Sequence, residues 1–180
     1  ARSEGVACDP IVRAPRRSDF GRMRPGWFLT VTMKGWQVKI AIIGGGPAGL
    51  MAAEAALAGG AQVALYDSMA SVGRKFLLAG KGGLNLTHSD PPDLFLSRYG
   101  ARRAQVAPWL AEFGADAIRT WARGLGVETY VGSSGRVFPT DMKAAPLLRA
   151  WLRRLRQAGL TIHVRHRWHG WDEQKALRFE

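Results

Sequence analysis

Residues 38–67 constrain the fold of this chain more than any other stretch. Val38-Lys39-Ile40-Ala41-Ile42-Ile43 is an apolar, β-branched run suited to a buried parallel strand. It feeds Gly44-Gly45-Gly46-Pro47-Ala48-Gly49, a G-x-G-x-x-G turn, and then the alanine-rich run from Leu50 to Ala58. Gly59-Gly60 ends that helix, and Gln62-Val63-Ala64-Leu65-Tyr66-Asp67 is a second strand closing on an acid. A lone glycine-rich turn is weak evidence, since such turns are common. Strand, turn, small-residue helix, strand and terminal acid in this order are the context that makes it a dinucleotide-binding βαβ unit.

Each position has a physical role in that reading. Gly44 permits the tight turn, Gly46 removes the side chain that would block a pyrophosphate, and Gly49 lets the helix lie close to the sheet. Pro47 falls in the first helical turn, where a missing N–H costs nothing. The remaining free N–H groups there and the positive end of the helix face the phosphates. Asp67 stands where an acid accepts hydrogen bonds from a ribose diol; a 2′-phosphate would be repelled there, which speaks against NADP at this site.

The chain of 180 residues, 47% hydrophobic, is long enough for one domain with a sizeable core. No apolar run reaches membrane-spanning length, so a cytoplasmic protein with no membrane partner is expected. Cys8 is the single cysteine, which excludes an intrachain disulfide, a C-x-x-C redox pair and a cysteine-rich zinc site. The net charge of +12, from 26 Lys and Arg against 14 Asp and Glu, could attract nucleic acid. The arginines are spread over the N-terminus and outer helix faces, so that reading ranks below solubility and attraction for phosphates.

Residues 1–37 carry Arg2, Arg13, Arg16, Arg17, Arg22 and Arg24 among Pro10, Pro15 and Pro25, with no apolar periodicity. They are expected to form a flexible extension, with Met33 marking where a protein of this kind ordinarily starts. Arg16-Arg17 is not followed by the apolar segment of an export signal.

After Asp67, Val72-Gly73-Arg74-Lys75 and Gly80-Lys81-Gly82-Gly83-Leu84-Asn85-Leu86-Thr87 suggest a basic, glycine-rich loop turned back over the same nucleotide. The second segment is not a triphosphate-binding loop, because Leu86 stands where a lysine would be needed. Asp90-Pro91-Pro92 breaks the chain. Helices are expected over Pro108 to Phe113 and Ala115 to Leu125, and strands over Val127 to Val131 and Gly135 to Pro139. A longer helix, Ala144 to Ala158, has Leu147, Leu148, Trp151, Leu152 and Leu155 on one face. Arg149, Arg153, Arg154 and Arg156 lie toward water as a solvated face. Leu160 to Arg165 is the next strand of the parallel sheet.

His163, His166 and His169 do not make a metal site: spaced by three on extended chain, only His163 and His169 would share a side. Trp151, Trp168 and Trp171 could stack bases, but Trp151 belongs to the helix core and two indoles are too few.

The residues Ile42 to Leu50, Val72 to Lys75, Gly80 to Thr87 and Gly135-Arg136-Val137-Phe138-Pro139 resemble the YhiN/BaiN-like flavoproteins, known as NAD(P)/FAD-dependent or aminoacetone-oxidase-family enzymes. The resemblance covers residues 38–180. It implies an α/β fold, a Rossmann-like FAD-binding domain with a parallel sheet, in which 104–140 is a helical and strand segment before the third parallel strand. It implies FAD, with Gly44, Gly45, Gly46, Pro47, Ala48 and Gly49 on the pyrophosphate and Asp67 on the ribose. Arg74, Lys75, Gly80, Gly82, Asn85 and Thr87 would serve the phosphate and flavin region, and the main chain near Arg167 and Trp168 the adenine. Where the commoner family pattern has Gly-Gly-Arg-Cys-Asn, this chain has Lys81-Gly82-Gly83-Leu84-Asn85, so no thiol stands near the flavin.

Family members are longer, with an inserted substrate domain and a C-terminal return, so the chain is expected to be the front part of such an enzyme. The implied activity is a flavin-dependent oxidoreduction of a small molecule, with NAD(P)H a candidate reductant and no catalytic acid or base identifiable. The alternatives are a non-catalytic nucleotide-binding remnant and, below it, a basic flavoprotein that associates with nucleic acid.

Overall fold

In the computed structural model, which describes residues 38–180, the βαβ unit runs as strand β1 (Lys39–Ile43), helix α1 (Pro47–Ala58) and strand β2 (Gln62–Asp67). β1 and β2 pair in parallel, Ile40 with Val63 and Ile42 with Leu65. Strand β6 (Thr161–Val164) adds to β2 in parallel, giving the order β1-β2-β6. Leu50 and Ala53 of α1 and Val63, Leu65 and Tyr66 of β2 are buried. The expectation that the first strand is buried throughout is corrected. It alternates, with Ala41 and Ile43 exposed and Ile43 at 44%, because successive side chains point to opposite faces and among the described residues only one face is covered. The expected extension over residues 1–37 lies outside the described residues.

The described chain divides into two compact units, 38–72 with 159–180, and 73–158. The first unit ends in a hairpin of β7 (Trp168–Trp171) and β8 (Leu177–Phe179). Asp172 closes its turn, accepting the Lys175 N–H at its carbonyl and the Ala176 N–H at its carboxylate. A register shift at Gly170, whose φ is +105°, sets Trp168 opposite Phe179 and Trp171 opposite Leu177. Both indoles therefore fall on one side of the hairpin, edge to face at 6.2 Å.

The second unit begins with helix α2 (Arg74–Ala79), in place of a continuous loop. Gly73 opens it in the left-handed region at φ +72°, and a Cβ there would lie 2.5 Å from Leu148. Strand β3 (Thr87–His88) follows, then α3 (Pro92–Ser97), α4 (Arg103–Glu112) and α5 (Ala115–Gly124). The sequence placed no helix at 92–97 and opened the next at Pro108. Instead α4 begins five residues earlier and holds Pro108 inside it, and neither α3 nor α4 buries a residue. Apolar periodicity only weakly announces helices whose apolar side chains, such as Phe95, Leu96, Val106 and Leu110, are half-buried at most. Strands β4 (Thr129–Val131) and β5 (Arg136–Pro139) form an antiparallel sheet with β3, in the order β3-β5-β4.

Helix α6 (Ala144–Gln157) supplies the core of this unit through Leu147, Leu148, Trp151 and Leu155, all buried. Leu84, Ala122, Ala144 and Leu147 cluster with Phe76, Leu86, Trp121, Leu125 and Val127 around them. Trp151 meets Trp121 edge to face at 4.9 Å and Phe76 at 6.2 Å.

Candidate functional site

The glycines at the end of β1 are glycines for different reasons. Gly44 takes φ +104° and donates its N–H to the Tyr66 carbonyl at 2.8 Å, so conformation demands it. Gly49 is demanded by packing, since a Cβ there would lie 1.9 Å from the Gly44 oxygen. Gly45, a free position in the motif, is equally constrained: a Cβ would come within 2.3 Å of Val72 Cγ1 and 2.9 Å of Asp67 Oδ2. Gly46 differs from all three. Its backbone is ordinary extended chain, φ −79° and ψ −178°, and nothing lies within 4 Å of where its Cβ would be. Neither the fold nor the backbone requires glycine there; the space above it is what a side chain would occupy.

That space sits at the start of α1. Gly46 is the N-cap, Pro47 the first helical residue, and the first helical bond runs from the Leu50 N–H to the Gly46 carbonyl at 2.9 Å. The N–H groups of Ala48 and Gly49 therefore have no intrahelical acceptor, and no acidic side chain occupies the first turn. A negatively charged group at this end gains from those donors and from the helix dipole.

Asp67 closes the site from β2. Its Oδ2 accepts the Gly45 N–H at 2.6 Å and its Oδ1 accepts the Met69 N–H at 2.8 Å. The carboxylate thus braces the glycine turn, and each oxygen keeps a further lone pair able to accept another hydrogen bond. The chain leaving β6 is laced to the same place, with Arg165 N–H on the Met69 carbonyl and His166 N–H on the Asp67 carbonyl, both at 3.0 Å. Arg165 turns there in the left-handed region, φ +58°, and this bend changes the histidine geometry. His163 and His166, not His163 and His169, come together, their rings 5.5 Å apart. Beneath Asp67, the Tyr66 ring stacks on His163 at 4.7 Å and on Phe179 at 4.2 Å. Trp168 lies on the hairpin, and the neighbouring Arg167 spends both its main-chain groups on Glu180, each at 2.9 Å.

The remaining candidates belong to the second unit. Arg74 and Lys75 are exposed in the first turn of α2, without partners among the described residues. Gly80 lies 2.5 Å, by its would-be Cβ, from Ala144, and Leu84 N–H donates to the Met142 carbonyl at 2.9 Å. Gly82 repeats the signature of Gly46, with no left-handed φ and open space around its Cβ position. In the orientation that satisfies its amide, Asn85 donates to the carbonyls of Thr87 at 2.8 Å and Val137 at 3.3 Å. Thr87 is 8% exposed, and its hydroxyl has no partner among the described residues.

One polar network is absent from the sequence reading. His88 Nε2 meets the Ser134 carbonyl at 3.0 Å, and its Nδ1 lies 3.0 Å from Asp90 Oδ1, while Asp90 pairs with Arg98. Only the Asp90 spacing is visible locally; Ser134 is 46 residues away. Among the described residues no three metal-ligating side chains converge, and no helix is long and apolar enough to cross a membrane.

A parallel sheet with a glycine turn, a helix N-terminus and a bracing acid at its strand ends defines a Rossmann-type domain. The chain belongs to the HI0933-like protein Rossmann domain family, whose match spans residues 38–180. Among solved structures it is similar to the open conformation of a flavocytochrome c3 fumarate reductase, at 17% identity and TM-score 0.58, over 89% of this chain and 34% of that one. It is also similar to a 3-ketosteroid-Δ4-(5α)-dehydrogenase from Rhodococcus jostii RHA1, solved with 4-androstene-3,17-dione, at 16% identity and TM-score 0.56, over 78% and 40%. THI4 of Thermovibrio ammonificans matches at 19% identity and TM-score 0.47, over 79% and 45%. The likenesses to the reductase and the dehydrogenase establish a shared fold, and the chain spans less than half of each of the three proteins.

Proposed function

We propose that this chain is the FAD-binding part of a flavin-dependent oxidoreductase acting on a small molecule. The observation that carries the reading is Gly46: a glycine that neither conformation nor packing requires, at a helix N-terminus with free donors, beside a turn braced by the acid Asp67. Pyrophosphate is the group that fits there, held by the N–H groups of Ala48 and Gly49, with the adenosine ribose on the free lone pairs of Asp67. The resemblance to the YhiN/BaiN-like flavoproteins names FAD as that dinucleotide. Two structural relatives with a TM-score above 0.5 are named for oxidoreductions, one of them as a flavocytochrome.

For Arg74, Lys75, Gly80, Gly82, Asn85 and Thr87 the assignment to the same cofactor rests on the resemblance and on two local facts, the open space at Gly82 and the unpartnered Thr87 hydroxyl. A bound FAD would supply hydride acceptance and delivery at its N5 atom; the protein's residues bind and orient it. NAD(P)H is proposed as the reductant and the cytoplasm as the compartment.

The test is the visible absorption of the purified protein after FAD is added and free cofactor removed by desalting. Retained flavin bands that vanish in Gly46→Val, with the far-ultraviolet circular dichroism unchanged, are the expected result. Flavin retained undiminished by Gly46→Val would overturn the assignment of that site. Bleaching of the retained flavin by NADH or NADPH under nitrogen separates an oxidoreductase from a domain that only binds.

A further inference from the structure

Helix α6 has an outer face that the nucleotide site does not use. Arg149, Arg153 and Arg156 are all exposed and recur at spacings of four and three, which puts them on one stripe. The opposite face fixes the helix's rotation, because Leu147, Leu148, Trp151 and Leu155 are buried in the core of the unit. At 1.5 Å per residue the three lie about 6 and about 4.5 Å apart along the axis.

Their surroundings leave this charge uncompensated. α6 contains no acid, and none occurs in the sequence between Asp141 and Asp172. Among the described residues the three form no ion pair and no side-chain hydrogen bond. Elsewhere in the same unit Arg98 pairs with Asp90, Arg103 with Asp93 and Arg123 with Glu128. Like charges at these spacings oppose the helix. The dipole favours cations only near the last turn, so it leaves Arg149, in the middle, unrelieved.

We propose that this stripe binds the phosphate backbone of a single-stranded nucleic acid. Three guanidiniums on a rigid helix match successive phosphates on one strand, and each can fork two hydrogen bonds to phosphate oxygens, which an ammonium cannot. An anionic membrane fits less well, because surface-bound helices insert apolar side chains beside their cations and those of α6 face the core. The site is separate from the dinucleotide reading and stands or falls independently of it.

The test uses the 180-residue chain and a fluorescein-labelled oligouridylate of about twenty nucleotides, followed by anisotropy across a range of potassium chloride. For single strands each phosphate contact contributes about 0.7 to the slope of log K against log salt. The triple variant Arg149→Gln, Arg153→Gln, Arg156→Gln is expected to lower that slope by about 2, with affinity at least tenfold weaker near physiological salt. The corresponding triple lysine variant keeps the charge and should retain most of the slope while binding less tightly.

An unchanged slope in the glutamine variant overturns the proposal. So does an equal fall when Arg13, Arg16 and Arg17 are replaced instead, which would make the binding a property of total charge. Arginine-dependent capture by vesicles of phosphatidylcholine with phosphatidylserine, with no oligonucleotide bound, also overturns it.

Discussion

The Gly45 N–H donates to Asp67 Oδ2 across 2.6 Å, joining two residues 22 apart and fixing the glycine turn to the end of the second strand. One hydrogen bond therefore couples the glycine turn to the acid at the strand end, the two groups proposed above to hold phosphate and ribose. Asp67→Ala removes the acceptor of both the Gly45 and Met69 N–H groups. A loss of about 1–3 kcal/mol is expected, read from the urea midpoint. Asp67→Asn keeps an acceptor on one side and should lose about half as much.

Gly46→Ala and Gly49→Ala separate ligand from fold. The first adds a methyl group to open space and should cost only the poorer N-cap, about 0.5–1 kcal/mol by urea denaturation, while weakening retained FAD. The second drives a Cβ to 1.9 Å from the Gly44 oxygen and should destabilise by about 3 kcal/mol or more, whether or not nucleotide is present.

Trp151→Ala empties the centre of the second unit. The indole is 1% exposed and meets two other aromatic rings, so about 3–5 kcal/mol should be lost. Trp151→Phe should recover most of it. Thermal denaturation of both variants, monitored by circular dichroism, checks the order.

Phe179→Ala removes the ring stacked on Tyr66 at 4.2 Å. The half-buried site predicts about 1–2 kcal/mol of destabilisation, felt locally in the hairpin. Faster hydrogen exchange at amides 168–179, with those of α1 unchanged, is the expected signature.

His88→Ala cuts the link between β3 and the turn at Ser134 and leaves Asp90 with Arg98 alone. A loss of about 1 kcal/mol is expected. His88→Gln, able to donate to the Ser134 carbonyl, should restore part of it in the same denaturation assay.

Legibility follows the range of the signal. The βαβ unit is readable because its evidence is local: β-branched residues, then glycines and a proline at fixed offsets, then an acid at the strand tip. The burial of Gly45 against Val72 is unreadable, since the motif leaves that position free and Val72 lies 27 residues on. The same holds for β3, two residues long, whose partners Val137 and Arg136 lie far along the chain. Pro108 misleads in a different way. A proline is ordinarily read as a helix start, and α4 instead holds it inside. In the terminal hairpin the clue was present: Asp172, a turn-forming acid, precedes the alternation of Leu177 and Phe179. Asp67 is identified correctly as an acid at the strand end, but its double use by main-chain N–H groups emerges only from three-dimensional geometry.

Each unit also carries its own pair of indoles held edge to face, Trp168 with Trp171 in the first and Trp121 with Trp151 in the second. Electronic transitions of two indoles fixed this close couple, and the coupling imprints a chiral couplet on the ultraviolet spectrum. The protein thus contains two optical reporters, one for each unit. Trp171→Phe silences the first and Trp121→Phe the second, so the melting of each unit can be followed by light alone, without a label.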